Sequence, residues 1–410
     1  MTPTLLFYII IGILVINYSI QEILNGLNSK HFNNKIPDEL EDVYDKENYK
    51  KSQAYKKINH KFSLLTNTFS LLITISFYFV DGFRIVDDFV RNYSSHSIVI
   101  ALLFFGCIIF ANSLLNLPFS YYKIFVIEEK FGFNKATKKT FFLDLIKSGI
   151  LTIVLGGAIL ALIVFFYQQF TETFWIYAWL AIGVFSVLIN LFYAQIFVPL
   201  FNKQTSLEKG PLKDEIEKYA ETVNFRINNI FVIDGSKRST KANAYFSGFG
   251  NQKRITLYDT LINDLETNEI VAVLAHEVGH YRKKHILYNL LISILITGIT
   301  LYLLSLCIQS SLLSNALGIS VPSFHIGLIA FGILYLPISE FTNLCMNYMS
   351  RKFEYQADNF AKETYSAAPL ISALKKLSKN SLSNLTPHSW YVSMYYSHPT
   401  LLNRIKNLKK

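Results

Sequence analysis

The chain has 410 residues, of which 51% are hydrophobic and only 17% charged, where a soluble domain carries about 25% charged residues. That deficit argues for a membrane protein, and the formal charge of +10 then reads as basic cytoplasmic loops rather than a nucleic-acid surface. Cys107, Cys307 and Cys345 lie far apart, in or near apolar runs; this excludes a disulfide framework or a cysteine metal cluster and leaves them as small buried hydrophobes.

About 20 apolar residues are needed to cross ~30 Å of hydrocarbon. Seven stretches qualify, at about 4–24, 63–82, 97–118, 148–168, 174–198, 286–311 and 324–347. The first has no basic residue ahead of it and no small-residue cleavage site, so it reads as a retained span and not a signal peptide. With these spans, 37 of the 39 Lys and Arg residues fall on one side, Arg84 and Arg91 being the exceptions. The positive-inside rule then places the N-terminus outside and the C-terminus in the cytoplasm, together with segment 199–285. Polar residues within spans, namely Asn112, Asn116, Asn190, Gln195, Glu340 and Asn343, are expected to face protein or a water-filled cavity. The chain divides into a membrane part at 1–198, a cytoplasmic catalytic segment at 199–285, spans at 286–347 and a C-terminal catalytic segment at 348–410.

Segment 199–285 has the pattern of a small α/β unit. Residues 211–223 predict an amphipathic helix, and Asn229–Asp234, Ala244–Ser247 and Ile255–Tyr258 predict strands, the last two separated by a turn at Gly248–Asn251. An apolar helical pattern starts near Asn268 and runs through Val273-Leu-Ala-His-Glu-Val-Gly-His280.

In that helix His276 and His280 are four residues apart and share a face, so both imidazoles can bind one ion. Glu277 is displaced by ~100° and can reach a water activated by that ion. Two histidines, a carboxylate and an open position make a catalytic zinc arrangement, with Glu277 as the proton acceptor. The third ligand must come from elsewhere. Glu354 and Asp358, also four apart on a helix continuing the last span, are candidates for ligand and for a hydrogen-bond acceptor that orients a ligating imidazole. Spacing alone equally fits an ordinary charged helix face.

The chain also resembles the type I CAAX prenyl proteases, integral-membrane zinc metalloproteases with seven spans, over nearly its full length. The resemblance is carried in order by Leu117–Lys135 (Leu-Pro-Phe-Ser-Tyr-Tyr onward), Pro199-Leu-Phe-Asn-Lys203, Asn243-Ala-Tyr-Phe-Ser-Gly248, the His276–His280 motif, Glu354-Tyr-Gln-Ala-Asp358 and His398-Pro-Thr-Leu-Leu-Asn-Arg404. It implies Glu354 as a zinc ligand, Asp358 as a catalytic-site carboxylate, His398 and Arg404 lining the site, and Asn243 and Ala244 beside a bound peptide. It implies, further, a mainly α membrane fold whose seven spans enclose a chamber, roofed by a small α/β zincin-like catalytic part. One departure is Asn403, where the family often has an acidic residue before the final Arg. Independently of the family, His398 has the chemistry to donate to an oxyanion, and Ala244–Ser247 could serve as an edge strand for an extended substrate. His285 and His388 suggest no role.

The expected function is a membrane endopeptidase of the CAAX-processing type, with one Zn2+ per chain. Its partners are a prenylated or other membrane-tethered peptide and the lipid bilayer, with no nucleic acid and no required oligomer. A bacterial inner membrane or an endoplasmic reticulum would accept this topology. The alternatives are a membrane quality-control protease of the heat-shock type, which typically has fewer spans, and a seven-span transporter or receptor with a dead site.

Overall fold

A computed structural model describes residues 1–225, 229–247 and 254–410; the turn expected at Gly248–Asn251 lies outside the described residues. Among the described residues, six helices are long and apolar enough to span a bilayer: Pro3–Lys30, Lys46–Phe79, Ser97–Glu128, Lys138–Phe170, Phe174–Phe201 and His285–Cys307. A seventh span is a pair, Phe324–Leu334 and Leu336–Thr364, bent by 57°. Pro337, in the first turn of the second half, has no N–H to offer the preceding helix, which accounts for a break here. Each expected span lies almost wholly within one of these elements, but the helices outrun the apolar stretches. Lys46–Phe79 has 34 residues, about 51 Å of helix, and its lysine-rich first half projects beyond any hydrocarbon layer.

The spans form a ring in chain order. The first packs on the second, and Phe62 and Phe69 of the second meet Phe119 and Tyr122 of the third. The third packs on the fourth, the fourth on the fifth, the fifth on the sixth, and the seventh on the sixth, the first and, through His325 against Phe104, the third. Only 6 to 17% of the most apolar window of each straight span is buried against protein. A solid bundle would bury more; a ring around a chamber leaves one face to lipid and another to the interior. Cys345 is accordingly exposed, contrary to the burial expected of it, while Cys107 and Cys307 are partly buried. The expectation for polar span residues holds at Asn112 and Asn116, which line a cavity of about 590 Å³ with Asp144 and Arg238. Asn190 donates back to the Ser186 carbonyl of its own helix at 3.0 Å.

At the end away from the catalytic part a short helix, Gly82–Arg91, takes up the first part of the loop expected at 83–96 and packs on the second and third spans. Its buried Asp87 receives hydrogen bonds from Arg91 at 2.8 Å and pairs with buried His325 at 2.7 Å.

At the other end lies a four-stranded sheet of β1 (Gln204–Ser206), β2 (Asn229–Ile233), β3 (Ala244–Ser247) and β4 (Arg254–Tyr258), in the order β1-β2-β4-β3. β2 and β4 are parallel, while β1 and β3 are antiparallel edges. Ile230, Ile233, Ile255 and Leu257 are buried, the first, third and fourth in one core with Ile216 of helix Pro211–Thr222 and with the motif helix, Thr267–Arg282. Arg238 holds Asp144 through two nitrogens at 2.7 and 2.9 Å, and Lys241 holds Glu128 at 2.9 Å. These pairs fasten the segment after β2 to the inner ends of the third and fourth spans.

Candidate active site

The motif helix starts at Glu266, whose backbone N–H donates to the Glu269 carboxylate at 2.8 Å; Lys376 donates to the same carboxylate at 2.8 Å. Register is thus set from the first turn. Along one face the helix carries Ala272, Ala275 and Gly279, all fully buried. A Cβ at Gly279 would stand 3.1 Å from the Cα and carbonyl oxygen of Ala357 and from Cβ of Phe360. A side chain at this position would have to push the backbone of helix Leu336–Thr364 back, and the close approach that glycine permits brings Glu354 to the two motif histidines.

Nε2 of His276 and Nε2 of His280 are 3.1 Å apart. Glu354 Oε1 is 3.3 Å from His280 Nε2, and Oε2 is 3.5 Å from His276 Nε2. His276, His280 and Glu354 form the one group among the described residues whose donor atoms converge as metal ligands do. With zinc–ligand bonds of ~2.0–2.1 Å, tetrahedral ligands stand roughly 3.3–3.4 Å apart, so the observed spacings fit. Glu354 Oε2 is buried without a hydrogen bond, with Arg404 Nη1 3.5 Å away, and an ion between the two histidines would satisfy it directly. Burial opposes charge on His276, yet the Asp358 and Glu354 carboxylates outweigh it and raise its pKa to about 9. The surroundings therefore favour positive charge where the ion would sit.

The other expected residues cluster around this point. His276 turns Nδ1 to Asp358 Oδ1 at 2.9 Å. Arg404 reaches Asp358 with Nε and Nη2 at 2.9 and 2.6 Å, and its Nη1 stands 3.5 Å from Glu354. Burial works against charge on Arg404, but Asp358 outweighs it and pushes its pKa up. Asn403 is exposed, so the partner of Arg404 is Asp358 and not its chain neighbour. His398 Nε2 is 3.3 Å from Glu354 Oε1, and the Ser397 hydroxyl lies 2.9 Å from its Nδ1. Burial lowers the His398 pKa. It also pushes the Glu277 carboxyl above its ordinary 4.5, in the range where a carboxylate is a better proton acceptor.

Glu277, His276, His280, Glu354, His398 and Arg404 share a cavity of about 470 Å³ with Asn243 and Ala244. Ala244 opens edge strand β3, which runs beside the motif helix and pairs with β4 on one side only among the described residues. The geometry thus joins every expected site residue. It adds His285, for which the sequence suggested nothing: its Nδ1 lies 3.0 Å from Nδ1 of His280. Its place five residues after His280 was the only available signal.

Comparison with known proteins agrees with this geometry. Residues 27–203 match the model of the CAAX prenyl protease N-terminal region with five membrane helices, and residues 206–410 match peptidase family M48. CAAX prenyl protease 1 of Saccharomyces cerevisiae is 36% identical, with 91% of this chain and 88% of the yeast protein covered. The CAAX prenyl protease 1 homolog of Dictyostelium discoideum is also 36% identical, over 98% of this chain and 97% of its own, and the human homolog is 34% identical over 91% and 88%. The crystal structure of S. mikatae Ste24p superposes with a TM-score of 0.95 at 35% identity, covering 99% of each chain. Matches spanning both the ring of helices and the catalytic part, and relatives above 30% identity over nine-tenths of the chain, establish that this multi-pass membrane protein belongs to the CAAX prenyl proteases of the M48 metallopeptidase family.

Proposed function

We propose that the protein holds one zinc ion on His276, His280 and Glu354 and hydrolyses a peptide bond near the C-terminus of a prenylated or otherwise membrane-tethered peptide. The observation that carries this is the convergence of three donors at tetrahedral spacing within a cavity bordered by β3, an edge strand among the described residues. The names of the relatives, CAAX prenyl proteases, support the substrate class.

A bound zinc ion supplies Lewis acidity, polarising the scissile carbonyl and making water acidic enough to attack at neutral pH. The peptide lies extended against β3, its backbone paired at Ala244 and the Asn243 side chain beside it. Glu277 takes the proton of the attacking water on its carboxylate and passes it to the leaving amine. His398, whose Nε2 faces the cavity beside Glu354 Oε1 at 3.3 Å, would donate from that nitrogen to the oxyanion that develops at the carbonyl. Asp358 accepts from His276 Nδ1–H and fixes that imidazole with Nε2 inward; Arg404 keeps Asp358 ionised.

The membrane ring serves the same reaction. A prenyl or acyl anchor stays in hydrocarbon while the attached peptide reaches the cavity, each buried CH₂ adding about 0.8 kcal/mol. The catalytic part faces the cytoplasm in this reading, supported by the Lys and Arg distribution, in an endoplasmic reticulum or a bacterial inner membrane. A single chain carries every site residue, and nucleic acid has no part.

Mass spectrometry of products from matched prenylated and unprenylated peptides, with chelator and zinc add-back, tests the reading. A short C-terminal fragment, released faster from the prenylated peptide and lost on chelation, is expected. Cleavage that ignores both anchor and C-terminus would contradict the substrate class; cleavage indifferent to chelation would contradict the metal.

A further inference from the structure

We infer that His285 and Gln356 form a neutral hydrogen-bond relay that orients His280 for metal binding. The inference rests on the metal set just proposed. The motif helix ends at Arg282, and Lys284 takes a left-handed backbone (φ +59°) that turns the chain so that His285 opens the sixth span. His285 is thereby folded back against the helix it follows. It is buried, at 2% exposure, and stacks on Phe353 with ring centroids 4.1 Å apart and planes at 11°.

The proton directions along the relay are determined by one another. His280 presents Nε2 to the donor group. A neutral imidazole ligating through Nε2 carries its proton on Nδ1, and that atom lies 3.0 Å from His285 Nδ1. His285 Nδ1 must then be the acceptor, so a neutral His285 carries its own proton on Nε2. Nε2 lies 2.8 Å from Oε1 of Gln356, a carbonyl-type oxygen that accepts it. Every proton has a partner and no nitrogen faces another proton.

The two ligating histidines are therefore held differently. His276 leans on an anion, Asp358; His280 leans on a neutral imidazole backed by an amide. Outer hydrogen-bond partners fix the tautomer and ring angle of a ligating histidine and raise its basicity. A neutral acceptor at His280 does this without adding a further negative charge to a site that already holds Glu354, Asp358 and Glu277. The relay also joins three elements at one point: the motif helix, the start of the sixth span and, through Gln356, the helix that carries Glu354.

The test measures zinc affinity by chelator competition on the purified full-length protein, without reference to turnover. His285→Ala should weaken zinc roughly 10–100-fold, the usual scale for loss of an outer partner. His285→Phe keeps the stack on Phe353 but has no acceptor and should be as weak as Ala. His285→Asn offers an oxygen near the Nδ1 position and should recover part of the loss, while Gln356→Ala should show a smaller loss. A cobalt-substituted protein gives a second readout, since its d–d spectrum should shift in His285→Phe. If His285→Phe binds zinc like the unmodified protein, the residue only fills space and the relay is refuted. If His285→Ala does not fold, the Phe and Asn variants still decide. Failure of the unmodified protein to bind zinc would instead refute the metal set itself.

Discussion

Arg404 grips Asp358 with Nε at 2.9 Å and Nη2 at 2.6 Å, and both side chains are buried. Asp358 Oδ1 lies 2.9 Å from Nδ1 of His276, so the pair stands directly behind a histidine of the proposed metal set. Arg404→Met should leave the buried Asp358 carboxylate with only the His276 imidazole beside it, a smaller loss than the about 3–5 kcal/mol seen where a buried charge keeps no partner at all. The thermal midpoint of the metal-free protein should fall, and fall less in the Asp358→Asn/Arg404→Met double variant. Equal destabilisation in the two would show that the pair is not coupled.

Base and ligand separate by mutation. Glu277→Gln should retain zinc and lose roughly 10²-fold or more in turnover, the scale of general-base loss. Glu354→Ala removes one of three protein ligands and should lose the metal itself. Metal content and turnover on both variants check this; full zinc in Glu354→Ala would mean that another group, His398 being nearest, holds the ion.

The acidic limb of the pH profile should reflect the raised pKa of Glu277. A base must be ionised to accept a proton, so activity falls as pH drops through its pKa. Because burial pushes that pKa up, the limb in kcat/KM should lie above the ordinary carboxylate value of 4.5. A limb at or below that value in the zinc-replete protein would contradict the assignment.

Gly279→Ala tests the close helix approach. The new methyl would meet backbone atoms of Ala357 at 3.1 Å, which cannot rotate away as a side chain would. A loss of about 1–3 kcal/mol is expected, with weaker zinc binding because Glu354 is pushed from the histidines. Gly332→Ala, with nothing within 4 Å, is the control and should be neutral. Denaturation and zinc titration of both variants decide.

Orientation can be read by labelling single cysteines in sealed vesicles. A cysteine at Ser95 and one at Ser236, both exposed positions, should react from opposite sides. Reaction of both from the same side would overturn the seven-span arrangement.

Much of this was legible in residue order because the signals are periodic or local. Long apolar runs mark the spans, a short apolar run ended by Asp234-Gly235 marks β2, and the four-residue spacing of His276 and His280 puts them on one helix face. What the sequence left open was non-local or weak. β1 is only Gln204-Thr-Ser206, three polar residues without strand pattern, and exists because it pairs with β2. The helix Gly82–Arg91 reads as loop because it is short and charged, yet Asp87 is buried by His325 from 238 residues away in sequence. The role of His285 depends on the turn at Lys284, and no periodicity announces a left-handed residue. Asp358 was recognisable as a candidate from its spacing to Glu354, whereas its grip by Arg404 required the tertiary fold.

The bend at the seventh span has a mechanical consequence. From Leu336 to Glu354 the chain is one uninterrupted helix, about 27 Å long at 1.5 Å per residue. It is a lever with its fulcrum in the bilayer and its tip at the ligand set. A tilt of about 5° moves the far end of such a rod by about 2 Å, as much as a whole zinc–ligand bond of ~2.0–2.1 Å. Any change of tilt at the bend would thus be carried to Glu354 through a single helix.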